Sequence, residues 1–245
     1  MKKHLLNSLS LACLLAAGLF AEPVTYQAGG KSYEGWYISP EDGAPLVLLV
    51  HDWDGLTDYE IKRAGMLADL GYAVFCADLF GAGVRPVETA EKQKLTGALY
   101  ADRAEMRRRL NGALAAAKEQ GGNVGNAVAM GYCFGGTAVL ELARSGATLK
   151  GFAPFHGAFG LPDGQDYSET RGEIIVFHGT ADDYVSIDSF AELAKTLEAA
   201  GVKHEMITYS GAPHAFTVFG SDRYRQDADQ KSWRRFTQFL KEMLR

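Results

Sequence analysis

The sequence predicts a mainly parallel, doubly wound α/β sheet with helices on both faces, and three observations lead to this prediction. Short, continuously apolar runs alternate with amphipathic helical segments along most of the chain. Continuous apolar runs are typical of parallel strands that are covered on both faces, and their alternation with helices is typical of βαβ units. One run also ends in a glycine cluster that opens directly into a helix. The carboxyl ends of the strands are therefore the expected place for a functional site.

The individual elements follow from local patterns. Segments 33–39 and 46–50 have the composition of strands, and the second is continuously apolar. An amphipathic helix is expected over 59–70, because Gly71 ends the periodicity before the apolar strand 72–77. A helical region covers 88–120, and strand 126–132 leads into a helix that begins near Phe134 and runs to 144. The remaining strands are 149–155, 173–177 and 204–209, and the remaining helices are 189–200 and 227–240.

Composition and charge narrow the class of protein. The chain has 245 residues, of which 47% are hydrophobic and 22% charged, with a net charge of −5. These values are typical of a globular domain, and no linker or composition break divides residues 22–245, so one domain is expected. The acidic balance does not favour nucleic-acid binding. The basic residues that do cluster are interleaved with Asp102 and Glu105 and are expected to form a solvated helix face; they are Arg103, Arg107, Arg108 and Arg109.

The first 21 residues have the pattern of a secretory signal peptide. Two lysines, at positions 2 and 3, precede an apolar run over 5–20, which is short for a membrane span. Cleavage is expected after Gly18 or Ala21. The resulting location is periplasmic or secreted, without stable membrane association after cleavage. A lipoprotein anchor at Cys13 and a buried first helix are the alternatives, and the surrounding residues match both less well.

The glycine cluster carries a candidate nucleophile. Gly131-Tyr132-Cys133-Phe134-Gly135 lies between a strand and a helix, which is the arrangement of a nucleophile elbow with cysteine in place of the usual serine. The glycines leave room for a strained turn, and the amino terminus of the following helix favours the thiolate form of Cys133. The alternative is that Cys133 is a small packed residue. A disulfide with Cys76 would disable the elbow and is not expected, and Cys76 is predicted to pack in a buried strand.

Two later loops carry a candidate acid and a candidate base. Asp182 and Asp183 follow the end of strand 173–177, where a carboxylate can orient an imidazole. His214 lies in a glycine- and proline-containing loop after the last strand. The order of nucleophile, acid and base along the chain is that of the α/β hydrolases. Loop capping by the aspartates and a structural histidine are the alternatives for the individual residues.

A further loop supplies candidate oxyanion donors. The backbone N–H groups of Trp53 and Phe134 are placed to stabilise the anion that forms when a carbonyl is attacked. Three histidines at strand ends, at positions 51, 156 and 178, lack the paired spacing of metal ligands and are expected to make structural hydrogen bonds. No dinucleotide or phosphate-loop motif follows the first strand. The sequence therefore predicts no metal and no organic cofactor.

These motifs resemble the dienelactone hydrolase family of α/β hydrolases. The similarity rests on the segments 131–136, 178–185 and 211–216, and it extends over nearly all of the chain after the leader. It implies that Cys133 is the nucleophile, His214 the base and Asp182 the orienting acid. Asp182 is preferred to Asp183 because the family pattern places a valine three residues after the acid, and Val185 satisfies this for Asp182.

The resemblance also implies differences from the family. A glutamate commonly follows the histidine of the oxyanion loop and contacts the resting cysteine, whereas this chain has the shorter Asp52. Family members that use anionic dienelactones hold the substrate carboxylate with arginines. Arg85 is the candidate in the first of the two corresponding regions. In the second, the residues directly after His214 carry no charge and the next basic residue is Arg223, so a strong preference for anionic lactones is not expected.

The predicted activity is hydrolysis of small esters or lactones through a thioacyl intermediate on Cys133. A thiol redox or sensing protein that uses Cys133 is one alternative, and a non-catalytic small-molecule-binding protein on the same fold is another. The expected partner is a small-molecule ester or lactone, and the chain is expected to be a monomer or a small homo-oligomer.

Overall fold

The computed structural model describes residues 20–244, and these residues form one sheet flanked by helices. The strands are β1 (Phe20–Ala28), β2 (Lys31–Ser39), β3 (Pro45–Val50), β4 (Ala73–Ala77), β5 (Asn123–Tyr132), β6 (Gly151–Phe155), β7 (Glu173–Gly179) and β8 (His204–Tyr209). The helices are α1 (Asp58–Ala68), α2 (Thr89–Ala101), α3 (Arg103–Glu119), α4 (Phe134–Arg144), α5 (Ile187–Ala199) and α6 (Gln226–Met243).

The eight strands are arranged in the order β1-β2-β4-β3-β5-β6-β7-β8. Strands β3 to β8 are parallel, whereas β1 and β2 are antiparallel to their neighbours. The predicted α/β-hydrolase architecture is therefore confirmed. All of the parallel strands end at the same edge of the sheet, and β5 lies in its interior, so the residue after β5 is reached from the loops of its neighbours on both sides.

Each face of the sheet is covered by its own hydrophobic core. Side chains of α3, α4 and α5 contribute to the core on one face, and side chains of α1 and α6 contribute to the core on the other. Strands β3 and β4 are buried along almost their whole length, as expected for strands between two helical layers. The sheet is consequently a rigid base for the loops at its carboxyl edge.

Strand β1 was not among the elements expected from the sequence. It pairs antiparallel with β2 over its whole length, from Phe20 opposite Ser39 to Ala28 opposite Lys31. Its inward residues Val24, Tyr26 and Ala28 are buried, and its outward residues are largely exposed. This alternation is typical of a half-buried edge strand. The sequence prediction missed it because the strand begins at the end of the apolar leader run and contains Pro23, which edge strands tolerate.

Most of the predicted signal peptide lies outside the described residues, which begin at Phe20. Cleavage after Gly18 would leave β1 intact, whereas cleavage after Ala21 would remove its first two residues. Within residues 20–244, no helix has both the length and the apolarity needed to cross a bilayer.

The arginines of α3 are less solvated than the sequence suggested. Arg107 donates to Glu141 of α4 at 2.6 Å, and Arg103 lies 3.8 Å from the same carboxylate, whose side chain is fully buried. Arg109 donates to Glu105 within α3 and to the carbonyl of Leu79. The expectation of a solvated helix face is therefore corrected: several of these arginines join α3 to its neighbours, because buried acceptors from other elements attract them.

Candidate active site

The predicted elbow is present at the carboxyl end of β5. Cys133 precedes the first residue of α4 and has φ 51° and ψ −112°, a backbone conformation that residues other than glycine rarely adopt. Two glycines permit the turn. A Cβ on Gly131 would lie 2.4 Å from the carbonyl carbon of Gly135, and a Cβ on Gly135 would lie 2.3 Å from the carbonyl oxygen of Val50. Neither position can hold a larger residue without displacing main chain.

The loop after β8 brings His214 into contact with Cys133. Its Nε2 atom lies 3.1 Å from Cys133 Sγ, although the two residues are 81 positions apart in the sequence. The side chain of His214 is 11% exposed, and Cys133 is partly accessible. Since Nε2 faces sulfur and Nδ1 faces the opposite side, the ring can move a proton to or from the sulfur without changing its position.

Asp182 is the carboxylate that reaches the histidine. Its Oδ2 lies 2.8 Å from His214 Nδ1, and its Oδ1 accepts hydrogen bonds from the amides of Tyr184 at 2.9 Å and Val185 at 2.8 Å. The Asp182 side chain is fully buried, whereas Asp183 is exposed. The structure therefore joins Cys133, His214 and Asp182 in one line of side-chain contacts, and Asp183 lies outside this line.

The electrostatics of this line favour a charged imidazole. Burial by itself would lower the pKa of His214, but the hydrogen bonds to Asp182 and Cys133, together with their charges, raise it to about 10. Burial works against ionisation of Asp182 as well, yet the bond to His214 and the two loop amides lower the pKa of this carboxyl below its ordinary value. A histidine held cationic beside sulfur is the partner that a thiolate requires.

The loop after β3 forms the opposite side of the site. Trp53 lines the pocket beside Cys133, and Phe134, as the first residue of α4, has an amide without a partner inside the helix. Asp52 also lines the pocket, but its Oδ1 accepts from the amide of Asp54 at 2.7 Å, and the structure shows no hydrogen bond from Asp52 to Cys133. Burial raises the pKa of Asp52 to about 6.

A second carboxyl behind Asp52 escaped the sequence analysis. Glu60 is fully buried on α1, where it accepts from the amide of Thr57 at 2.9 Å and from its hydroxyl at 2.8 Å. Burial, followed by the charge of Asp52, raises the pKa of Glu60 to about 8. The spacing of Thr57 and Glu60 is that of a capping box, and this pattern could have located the residue in the sequence, though not its burial.

The three strand-end histidines have different roles. His51 contacts the carbonyl of Asp52 through Nδ1 and accepts from the amide of Leu79 through Nε2. His156 is also hydrogen-bonded through both nitrogens. The expectation of structural hydrogen bonding is wrong for His178, which packs against two phenylalanines and has no hydrogen-bond partner on either nitrogen. Among residues 20–244, no group of metal-ligating side chains could hold a metal ion.

A cavity of about 430 Å³ lies in front of Cys133. Arg85 does not line this cavity: its guanidinium donates to the carbonyl of Val84 and lies within 4 Å of Asp78 and Glu34. The arginine that lines the cavity is Arg223. It donates to the hydroxyl of Tyr184 at 2.9 Å. The remaining lining comes from the loops after β3, β6, β7 and β8 and from α2, and consists of Asp52, Trp53, Asp54, Tyr100, Ala158, Val185, His214, Ala215, Val218 and Ser221.

Both cysteines of the described residues are free. Cys76 is fully buried in β4, and its sulfur contacts the carbonyl of Glu60 at 3.8 Å. Burial raises its pKa well above the ordinary value. The expectations that Cys76 packs in the core and that it forms no disulfide with Cys133 are confirmed.

The fold and the site together define an α/β hydrolase with a nucleophile elbow. Comparison with known proteins identifies the family. The model of the dienelactone hydrolase family matches residues 34–244. The chain belongs to the dienelactone hydrolase family, and it is accordingly a hydrolase of the ester and lactone class.

Individual relatives cover nearly the whole chain. The "Putative carboxymethylenebutenolidase" of Aquifex aeolicus is 26% identical over 231 residues, which include 91% of this chain and 98% of that protein. The protein usf of Aquifex pyrophilus is 27% identical and covers 90% of this chain and 98% of its own length. A solved structure of P91, described as a dienelactone hydrolase-like promiscuous phosphotriesterase from metagenomic libraries, has 28% identity and a TM-score of 0.85, covering 93% and 99% of the two chains.

Proposed function

We propose that this protein hydrolyses small carboxylic esters or lactones through a thioacyl intermediate on Cys133. The observation that carries the proposal is the continuous line from Cys133 Sγ through the His214 ring to Asp182 at the carboxyl end of the sheet. In the first step the thiolate attacks the carbonyl carbon, and the amides of Trp53 and Phe134 stabilise the oxyanion. The carbon–oxygen bond to the leaving group then breaks, and the leaving oxygen takes the Nε2 proton of His214.

The second step uses the same histidine as a base. Once the sulfur is acylated, His214 loses the negative partner that contributes to its raised pKa. The neutral ring then takes a proton from water, the hydroxide attacks the thioester, and the carbon–sulfur bond breaks. This step restores the thiolate and the imidazolium. Asp182 holds the ring in the tautomer that both steps need.

The experiment is turnover of a panel of esters and lactones by the wild type, Cys133→Ala and Cys133→Ser. We expect steady hydrolysis by the wild type and loss by about three orders of magnitude or more in Cys133→Ala, with an unchanged melting temperature. Intact-mass spectrometry of rapidly quenched wild type should show an acyl adduct on Cys133. Full activity of Cys133→Ala would disprove the mechanism.

The same panel separates the redox alternative. A thiol sensor would lose a peroxide-dependent reaction in Cys133→Ala and would not cleave esters at all. Such a protein normally needs a second thiol to resolve the oxidised cysteine. The other cysteine of the described residues, Cys76, is fully buried, so the structure favours hydrolysis.

Neutral phosphotriesters are a second candidate substrate class, and the similarity to P91 supports them. Attack of the thiolate at phosphorus would expel an aryloxide, and water activated by His214 would then cleave the sulfur–phosphorus bond. A diethyl aryl phosphate in the panel tests this. Sustained release of the aryloxide supports phosphotriester hydrolysis, whereas one equivalent followed by inactivation indicates a phosphorylated dead end.

We further propose that the enzyme is exported, on the evidence of the leader pattern in residues 1–21. Processing after Gly18 is favoured because it leaves β1 complete. Mass spectrometry of the protein from a periplasmic fraction should find Leu19 at the amino terminus. An unprocessed chain confined to the cytoplasm would contradict the proposal.

A further inference from the structure

We propose that His156 is a positioning residue that ties the backbone of the nucleophile to the loop of the base. This inference rests on the proposed function, because it concerns how Cys133 and His214 are held in contact. His156 follows β6, is fully buried and does not line the cavity, so it does not touch the substrate. Its two ring nitrogens face the two halves of the site.

The Nδ1 atom of His156 faces the nucleophile. The amide of Cys133 donates to this nitrogen at 3.2 Å and to the carbonyl of Phe155 at 3.0 Å. The loop after β6 is joined to the elbow a second time, since the amide of Ala158 donates to the hydroxyl of Thr137 at 2.9 Å. The strained turn at Cys133 is therefore held by hydrogen bonds to the end of β6 and the loop after it, as well as by its own helix α4.

The Nε2 atom of His156 faces the loop of the base. It lies 2.9 Å from the hydroxyl oxygen of Thr217, three residues after His214, and Thr217 is fully buried. The same loop is anchored to α1, because Tyr59 donates to the Thr217 hydroxyl at 2.9 Å and Arg63 donates to its carbonyl at 2.8 Å. His156 thus connects two anchored segments whose relative position sets the distance from Sγ to the base.

The hydrogen bonds assign one tautomer to His156. A backbone amide can only donate, so Nδ1 must be the unprotonated nitrogen and Nε2 carries the proton toward Thr217. The ring must also be neutral for Nδ1 to accept. Burial, and then the positive charge of the neighbouring His214, lower the pKa of His156 well below its ordinary value, in agreement with this assignment.

Backbone strain is confined to the same place. Among the described residues, the non-glycine residues with positive φ are Cys133, His156 and Ala215. They are the nucleophile, its hydrogen-bond partner and the residue after the base. Strained conformations persist where the surrounding structure over-determines them, and they concentrate at functional sites. His156 shares this property with Cys133, to which it is hydrogen-bonded, and with Ala215, which lies in the loop that it joins to Cys133.

Two amide variants separate the two hydrogen bonds of His156, because each keeps one hydrogen-bonding position of the imidazole. In His156→Asn the side-chain oxygen can replace Nδ1 as acceptor, and asparagine tolerates positive φ. In His156→Gln the amide can replace Nε2 but leaves the Cys133 amide without its second acceptor. Because small displacements of reacting groups are costly, we expect kcat to fall about tenfold or more in His156→Gln and about two- to threefold in His156→Asn, with KM nearly unchanged in both.

A second readout does not depend on turnover. The rate at which iodoacetamide alkylates Cys133 at fixed pH should follow the same ranking, since it reports the contact between sulfur and His214. Thr217→Val removes the hydroxyl that His156 Nε2 contacts and should resemble His156→Asn. The Tyr59 hydroxyl, which also donates to this group, keeps the carbonyl of Thr217 as an acceptor at 3.2 Å. His204→Gln, the same chemical change on the distant strand β8, is the control and should match the wild type in both readouts. Melting temperatures show which variants are folded.

The results distinguish this inference from the proposed function. Wild type that hydrolyses no ester would refute the proposed function, while the alkylation ranking would still test the tie. An active wild type with equal or reversed rates for the two His156 variants would overturn the positioning role. If a His156 variant does not fold, Thr217→Val decides: a loss of about two- to threefold in kcat and alkylation supports the tie, and wild-type rates refute it.

Discussion

The carboxyl groups on the two sides of the site have pKa values that are shifted in opposite directions. On the side of β7 and β8, Asp182 is buried but has a cationic partner and two amide donors, and its pKa is lowered. On the side of β3 and α1, Glu60 is fully buried and Asp52 is half-buried, and neither has a cation in hydrogen-bond contact. Burial raises the pKa of Asp52 to about 6 and that of Glu60 to about 8. The hydrogen-bond donors and charges around a buried acid, and not its burial alone, decide whether the ionised or the neutral form is stable.

This difference assigns different functions to the two sides. The side with Asp182, called the paired side below, carries a negative charge that favours the cationic form of His214, as the proposed chemistry at Cys133 requires. The other side carries Asp52 and Glu60, whose carboxyl groups gain or lose protons near neutral pH, so its charge depends on the pH. We expect changes on the paired side to affect turnover most, and changes on the other side to affect stability and substrate preference.

The largest effect is expected on the paired side. Asp182→Asn keeps the shape of the side chain but removes the charge and favours the wrong tautomer of His214, so turnover should fall by about three to four orders of magnitude. Asp183→Asn is the matched control, because Asp183 is exposed and lies outside the line. Its kcat should change less than about threefold. The opposite ranking would show that Asp183 is the orienting acid.

A pH-dependent change in stability is expected from Glu60. Its pKa is about 8 in the folded protein against an ordinary value of 4.5. The folded state therefore binds the proton more tightly, and this contribution is fully present below pH 4.5 and is lost as the pH rises through 8. Glu60→Gln keeps the cap without the titration, so its melting temperature relative to wild type should rise by about 4 °C or more between pH 5 and 8.5.

The control for this measurement is Glu91→Gln, which neutralises an exposed glutamate on α2. Its melting temperature should follow the wild type at every pH. A difference between Glu60→Gln and wild type that is constant across the range would mean that Glu60 does not bind a proton in the folded state, and the contrast between the two sides would then fail.

The smallest effect concerns substrate charge. The cavity presents Asp52 and Asp54 on one side and Arg223 on the other, so a carboxylated dienelactone should not be preferred to a neutral ester of similar size by as much as about a hundredfold in kcat/KM, or about 2.7 kcal/mol. Asp52→Asn should raise this ratio about threefold at pH 7.5, where Asp52 is ionised, and hardly at pH 5.

Arg223→Gln provides the complementary variant and should lower the same ratio. Arg223 is exposed, and its guanidinium is already engaged with Tyr184, so its influence is screened by solvent. A hundredfold preference of the wild type for the anion would mean that Arg223 outweighs the acidic side.

The sequence by itself determined the fold class, the order of the main strands and helices along the chain, and the position of the elbow. These features depend on short-range patterns: continuous apolar runs mark covered strands, and glycines at positions 131 and 135 leave room for the turn at Cys133. The order of Cys133, Asp182 and His214 was also readable, because each follows a strand and parallel strands end at one edge.

Tertiary structure decided what depends on distance across the chain. It showed that Arg223 and not Arg85 lines the cavity, that Glu60 is buried behind Asp52, and that His156 joins the elbow to the loop of the base. The place of Arg223 and the contacts of His156 join segments far apart in sequence, and the capping-box spacing of Thr57 and Glu60 does not show that Glu60 is buried. Burial and the pKa shifts that follow from it arise when such segments pack together.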